Sequence, residues 1–325
     1  MTRAVLLTGI TGFVGSHLAE RLLADGDEVH GLAVEAPPFP NLTAIRLRVH
    51  IHSGDLLDLE ALRRGLDAAR PACVIHLAGQ AVPTLAAADP LGAIRVNVMG
   101  TATVLAALAD RPGVRLVVAS SAEVYGNPEH VPVAEDAPLL PTNVYAASKV
   151  AAEALLGEAG RRGANPVTIL RPANQNGPRQ HPGLAASAFA KQIAEIEAGL
   201  AAPVIWHGDL SARRDFVDVR DMAVAFALAS RLDEPGVGIY NVGSGAPVAL
   251  KELLDMLVRM ARVPVRTDVD PSRVRASNAS ALSLDASRFR ARTGWAPSIP
   301  LERTLADLLD WWRAEVARSH PVPAR

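Results

Sequence analysis

The stretch from Ala4 to Gly15, Ala-Val-Leu-Leu-Thr-Gly-Ile-Thr-Gly-Phe-Val-Gly, constrains the fold more than any other. Its first five residues read as a buried strand. The residues after Gly15, through His17-Leu18-Ala19-Glu20-Arg21-Leu22-Leu23, read as a helix. A strand, a Gly9-x-x-Gly12-x-x-Gly15 turn and a helix form the first half of a dinucleotide-binding unit. The glycines let the backbone approach a pyrophosphate, and the helix N-terminus offers free N–H groups and a positive dipole end.

The same alternation continues down the chain. Glu28-Val29-His30-Gly31-Leu32-Ala33-Val34 reads as the second strand, and a third is expected around 44–49. Glu35 lies 20 positions after Gly15, where an acidic side chain can hold the ribose hydroxyls of NAD. Ala33 is apolar and no arginine follows it, so the sequence leaves NAD and NADP both open. His50 and His52 alternate like strand residues, and with no third ligand near them in the sequence no metal is expected. Asp58 is placed to cap a helix. Pro71 to Gly79 reads as a buried strand ending in small residues, where a cofactor can lie close. Residues 91–109 read as an apolar helix that contains Asn97, Gly100 and Thr101, so a kink or a buried water is expected there. Strands at 114–119 and 167–170 complete the alternation. The expected class is α/β, a Rossmann-type doubly wound parallel sheet with a smaller α/β substrate-binding domain.

The stretch Val144-Tyr145-Ala146-Ala147-Ser148-Lys149-Val150 carries the chemistry. Tyr145 and Lys149 are four apart, so on a helix they share one face. A free tyrosine is a poor acid or base at neutral pH. An ammonium beside it is expected to lower its pKa. Ser120-Ser121-Ala122-Glu123 lies at the carboxyl end of the preceding strand, where open parallel sheets bind ligands.

Composition narrows the field. A net charge of −1 leaves no basic footprint for nucleic acid or an anionic membrane. The single cysteine, Cys73, sits in an apolar run and reads as a buried strand thiol. No signal peptide and no stretch long and apolar enough to cross a bilayer is expected, and a cytoplasmic location follows.

Together, Gly9-x-x-Gly12-x-x-Gly15, His76-Leu77-Ala78, Ser120-Ser121 and Tyr145-x-x-x-Lys149 resemble the extended short-chain dehydrogenase/reductases of the nucleotide-sugar epimerase/dehydratase type. The resemblance implies NADP or NAD as cofactor, held by Gly9, Thr11, Gly12, Phe13, Val14, Gly15, Asp55, Leu56, Leu77, Ala78, Gly79 and Lys149. It implies Ser121, Tyr145, Lys149 and Glu123 as catalytic residues. Gly208-Asp209-Leu210-Ser211-Ala212-Arg213-Arg214-Asp215-Phe216 is similar to the GDP-sugar branch. Within that branch the resemblance implies Asn174, Arg179, Lys191, Arg214 and Arg275 as contacts to a GDP-linked sugar nucleotide. Arg275-Ala276-Ser277-Asn278-Ala279 departs from the branch pattern, with Asn278 where it has a glutamate. It further implies a dinucleotide domain over 1–170 plus about 216–240, a substrate domain over 171–215 and 241–325, and a homodimer through helices 91–109 and 143–161.

The branch contains reductases and 4,6-dehydratases. Ala122 stands where the related dehydratases carry an acid or a hydroxyl, and the connection from Val34 to Asp55 is short. The expected reaction is therefore reduction of a GDP-4-keto-6-deoxyhexose at C4, giving GDP-6-deoxy-D-mannose (GDP-rhamnose). A GDP-mannose 4,6-dehydratase, then a nucleotide-sugar 4-epimerase, are the alternatives.

Overall fold

The computed structural model describes residues 2–274 and 281–320. Strand β1 (Ala4–Thr8) turns into helix α1 (Phe13–Ala24), and β2 (Glu28–Ala33) follows. Then come β3 (Val49–Ser53), α2 (Leu59–Ala69), β4 (Cys73–His76), α3 (Pro83–Ala88), α4 (Pro90–Ile94), α5 (Gly100–Leu108) and β5 (Arg115–Ala119). Helix α6 (Val144–Arg161) leads to β6 (Val167–Pro172).

The second half supplies β7 (Asn174–Asn176), α7 (Ala185–Glu197), β8 (Val204–His207), β9 (Arg213–Asp218), α8 (Val219–Ala229) and β10 (Val237–Val242). It closes with β11 (Pro247–Ala249), α9 (Leu250–Arg259), β12 (Arg266–Val269), β13 (Ala281–Leu282), α10 (Ser287–Thr293) and α11 (Leu301–Ser319).

Seven strands form one parallel sheet in the order β10-β6-β5-β4-β1-β2-β3. The doubly wound sheet expected from the sequence is therefore present. Helices α1 and α8 cover one face through Leu18, Leu22, Met222 and Phe226. Helices α2, α5 and α6 cover the other through Leu62, Leu66, Val104, Leu108 and Leu156. Strand order reverses between β1 and β4, which opens a crevice at their carboxyl ends. Beyond the sheet, β7, β9, β11 and β13 form a small second sheet, and β8 pairs with β12. A separate aliphatic core joins α7, α9 and α11 through Ile193, Leu254, Leu308 and Trp312. Trp295 is buried and its Nε1 donates to Asp221 O at 2.9 Å.

Of three local expectations, the first and third are corrected and the second is met. The strand expected at 44–49 is a run of 3-10 turns, Pro40–Arg48, and the strand starts at Val49. Proline opens that run, and its buried residues, Leu42 and Ile45, are three apart, as the tighter helix requires. The helix expected at 91–109 runs over Pro90–Leu108, and a π turn at Arg95–Met99 between α4 and α5 supplies the irregularity expected around Asn97. Asn97 sits in that turn, and its side chain donates to Ser148 Oγ at 2.8 Å and to Gln80 O at 3.1 Å. The polar residue thus ties the loop after β4 to α6, while Gly100 leaves room for the Leu56 side chain. Third, Pro90–Leu108, with a mean hydropathy of 1.5 in its apolar window, is long and apolar enough to cross a membrane by length and composition. Here it packs along α6 and α2. Asp58 caps α2 as expected, accepting from the N–H groups of Glu60 and Ala61.

Candidate active site

The glycine turn lies in the crevice between β1 and β4. Gly9 has φ +77°, and a Cβ there would lie 2.8 Å from Ala78 N. A Cβ on Gly15 would lie 2.1 Å from Gly9 O, so only glycine lets α1 start this close to the strand end. Gly12 is the N-cap of α1 and supplies no side-chain cap, and the first turn carries no acid. The first N–H groups of α1, at Phe13, Val14 and Gly15, are therefore offered outward with the positive end of the dipole, which is what a pyrophosphate requires. Thr11 donates its hydroxyl to Glu35 Oε2 at 3.2 Å, which places that carboxylate beside the glycine turn. Asp55 turns the chain after β3, its Oδ1 accepting from Leu57 N at 2.9 Å, and Leu56 is buried next to it.

Strand β4 brings Leu77, Ala78 and Gly79 to the other lip. His76 holds the two lips in register: its Nδ1 is 2.7 Å from Thr8 Oγ1 and its Nε2 3.2 Å from Thr101 Oγ1. Complete burial lowers its pKa to about 3, with Lys149 adding to the effect, so the ring is a neutral strut. A Cβ on Gly79 would lie 3.6 Å from Lys149 Nζ, which brings the expected cofactor loop and Lys149 together.

Helix α6 carries Tyr145 and Lys149 on one face. Its N-cap, Asn143, accepts from Ala146 N at 2.8 Å and donates its other amide group to Glu123 Oε2 at 2.8 Å. One residue thus starts the helix and fixes the carboxylate of the preceding loop. Ser121 accepts from Glu123 N at 3.2 Å and shares a hydrogen bond with Tyr145. The expected effect of Lys149 on Tyr145 is corrected here. Burial pushes the Tyr145 phenol up to about 12; the Ser121 hydrogen bond opposes this and the Glu123 charge adds to it. Lys149 instead turns its ammonium to Ala119 O at 2.9 Å, at the carboxyl end of β5. Burial lowers Lys149 to about 8 against the opposing pull of Glu153. At neutral pH the site thus holds a protonated phenol and an ammonium, an acid rather than a base.

The sequence reading missed a polar network directly behind this face. Glu153, one turn after Lys149, is buried and pairs with buried Arg171 at 2.6 Å. Ser120 donates to Glu153 at 2.5 Å, and Arg171 donates to Tyr125 Oη at 2.8 Å. Tyr125 in turn donates to Asn241 Oδ1 at 2.7 Å, which joins α6, β6 and β10.

The expected substrate contacts are placed unevenly. Burial lowers the Arg214 pKa and the Glu123 charge opposes that, so Arg214 lies within the field of Glu123. Its neighbour Asp215 gathers Ser244 N and Oγ, Gly245 N and Leu284 N on one buried carboxylate. Asn174 begins β7, which pairs with β9. Arg179 instead braces α1, with Nη2 2.6 Å from Glu20 Oε1 and Nη1 3.1 Å from Ser16 Oγ. Lys191 lies 3.4 Å from Glu195 and over the Trp312 ring. Arg275 lies outside the described residues. Near the histidines of β3, β2 adds further donor groups: Glu28, His30 and His50 converge.

Residues 6–308 match the family described as GDP-mannose 4,6 dehydratase. The chain is 34% identical over 320 residues to the GDP-6-deoxy-D-mannose reductase of Pseudomonas aeruginosa, covering 97% of this chain and 99% of that protein. Among solved structures, RMD from Pseudomonas aeruginosa complexed with NADPH superimposes with a TM-score of 0.83 at 32% identity, covering 96% and 99% of the two chains. The Thermus thermophilus UDP-glucose 4-epimerase complex with NAD gives a TM-score of 0.82 at 33% identity, covering 95% and 98%.

Proposed function

The chain belongs to the GDP-mannose 4,6-dehydratase family of extended short-chain dehydrogenase/reductases, and from that premise we propose that it is an NAD(P)H-dependent reductase. Its substrate is a GDP-linked 4-keto-6-deoxyhexose, and its product is GDP-6-deoxy-D-mannose. The cradle formed by the uncapped α1 N-terminus, Gly9 and Gly15 fits a pyrophosphate, and relatives of the same fold are described with NADPH or NAD. When bound, the nicotinamide supplies hydride to sugar C4.

The residues of the chain do the rest. Ser121 holds the C4 oxygen, Tyr145 gives it a proton as the carbonyl is reduced, and Lys149 orients the ribose. Arg214 meets the diphosphate. The observation that carries reduction over dehydration is a phenol held protonated by burial together with Ala122, a buried methyl between Ser121 and Glu123 in the loop after β5. Dehydration needs a second acid–base group at a distinct position, and Ala122 cannot supply one. Glu123, within the field of Tyr145, is the group a dehydratase would use and keeps that alternative as the second reading.

The deciding assay supplies the protein with GDP-mannose without reductant and, separately, with the 4-keto-6-deoxy sugar nucleotide and NADPH or NADH. Oxidation of the reduced cofactor in the second mixture supports the reading. A 4-keto product in the first mixture would replace it with dehydration. We assign residues 171–215 and 241–325 to sugar-nucleotide binding and the rest to cofactor binding, in a cytoplasmic enzyme. Leu91, Ile94 and Met99 on the α4–α5 run and Leu155 on α6 leave an exposed apolar face, which we assign to a second copy of the chain.

A further inference from the structure

The edge of the sheet opposite the crevice holds a second group of chemically capable side chains. Strands β2 and β3 are paired in parallel with His30 opposite His50 and Leu32 opposite His52. Glu28 is the first residue of β2 and Val49 the first of β3. Glu28, His30 and His50 therefore sit at the amino ends of the strands, whereas the glycine turn follows a carboxyl end. None of them takes part in the reaction above.

Their donor atoms converge. Glu28 Oε1 is 3.0 Å from His30 Nε2 and 3.7 Å from His50 Nε2. One ligand atom from each residue lies within 4.8 Å of the other two. Zinc bound at about 2.0–2.2 Å holds tetrahedral ligand atoms roughly 3.3 Å apart, so the three atoms already bracket that spacing. His30 is buried and its remaining nitrogen, Nδ1, is 3.0 Å from His52 Nε2. That is the outer contact by which a metal-ligating imidazole is oriented and its tautomer set. His50 stacks on His30 with ring centroids 4.7 Å apart, and its side chain is 61% exposed, so the ring has room to rotate out of the stack and close the set.

We propose that Glu28, His30 and His50 bind a borderline divalent transition cation, Zn²⁺ in the first place, with His52 as the outer residue that orients His30. Two imidazoles and a carboxylate are the donor set for such an ion rather than for Mg²⁺ or Ca²⁺, which take oxygen ligands. On binding, the ion takes the place of the proton at His30 Nε2, which leaves to solvent; His52 Nε2 passes its proton to His30 Nδ1, which then donates to His52, and His52 regains a proton from solvent at Nδ1. Solvent fills the fourth position, because Glu28 and His50 are both exposed. The ion would fasten β3, the edge strand of the sheet, to β2.

The test uses tag-free, full-length protein stripped with a chelator. It is titrated with Zn²⁺ alone against a chromophoric chelator, and its melting is followed with and without the ion. One saturable equivalent and a zinc-dependent rise in melting temperature are expected. Co²⁺ in its place should give visible ligand-field bands. His50→Ala and Glu28→Gln should each keep the ion-free melting temperature and lose the equivalent, with cofactor oxidation unchanged. His52→Ala should weaken affinity by about 10- to 100-fold. Absence of saturable uptake in the unmodified protein overturns the proposal, and so does uptake by His50→Ala equal to that of the unmodified chain.

Discussion

Replacing Glu153 by glutamine removes a charge from the interior and keeps the shape of the side chain. Glu153 and Arg171 have side chains only 6% and 4% exposed. Arg171 gives Nε to Glu153 Oε1 at 3.0 Å and Nη2 to Oε2 at 2.6 Å, while Nη1 goes to Tyr125 Oη and Glu135 O. The guanidinium is therefore fully enclosed, and Glu153 is the carboxylate that neutralises it. Breaking a buried pair from one side strands the other charge and costs about 3–5 kcal/mol. Removing both charges together avoids that penalty, so Glu153→Gln with Arg171→Met should regain most of the loss. Urea unfolding of the parent, both single variants and the double variant closes the cycle. The same substitution reaches the active site. The Glu153 charge opposes the lowering of the Lys149 pKa, so its loss should move the alkaline limb of reductase kcat/KM to lower pH. A loss below about 1 kcal/mol, the value of a surface pair, would refute the argument. A double variant no more stable than Glu153→Gln, or an unmoved limb, would do the same.

Other substitutions probe the remaining parts. Tyr145→Phe should cut kcat by a factor on the order of 10² to 10⁴ while cofactor titration by fluorescence stays unchanged, since only the proton donor is lost. In the parent protein, kcat/KM for reduction should hold below the Lys149 pKa of about 8 and fall above it, because the ammonium is the active form; a rise with pH would contradict that sign. Gly15→Ala pushes a methyl to within 2.1 Å of Gly9 O and should abolish cofactor binding or soluble expression. Glu35→Ser removes a carboxylate beside the glycine turn and should raise the NADPH to NADH ratio of kcat/KM by on the order of ten-fold, as relief of like-charge contact with a 2′-phosphate requires. Met99→Glu should shift the sedimentation of the protein toward the monomer without changing its far-UV spectrum.

What could be read from the sequence was what is local. Gly9, Gly12 and Gly15 announce the crevice because the turn is made by consecutive residues, and Tyr145 and Lys149 announce a helix face because they are one turn apart. Partners separated along the chain gave no such signal. Glu153 and Arg171 are 18 residues apart, and each alone looks like an ordinary surface charge. His76 and Thr8 are 68 apart and meet only because β4 pairs with β1. Arg179 carries a positive charge that suits a diphosphate, and the sequence holds no sign that Glu20, 159 residues earlier, takes it. The sign of the Tyr145 shift was hidden for a different reason. Proximity of an ammonium argues for a lower pKa and enclosure argues for a higher one, and only the depth of the side chain decides between them. That depth bears on the chemistry as well as on the fold. A phenol that stays protonated well above neutral pH can give a proton to a ketone oxygen, so the same burial that defeats the simple spacing argument fits the reduction proposed above.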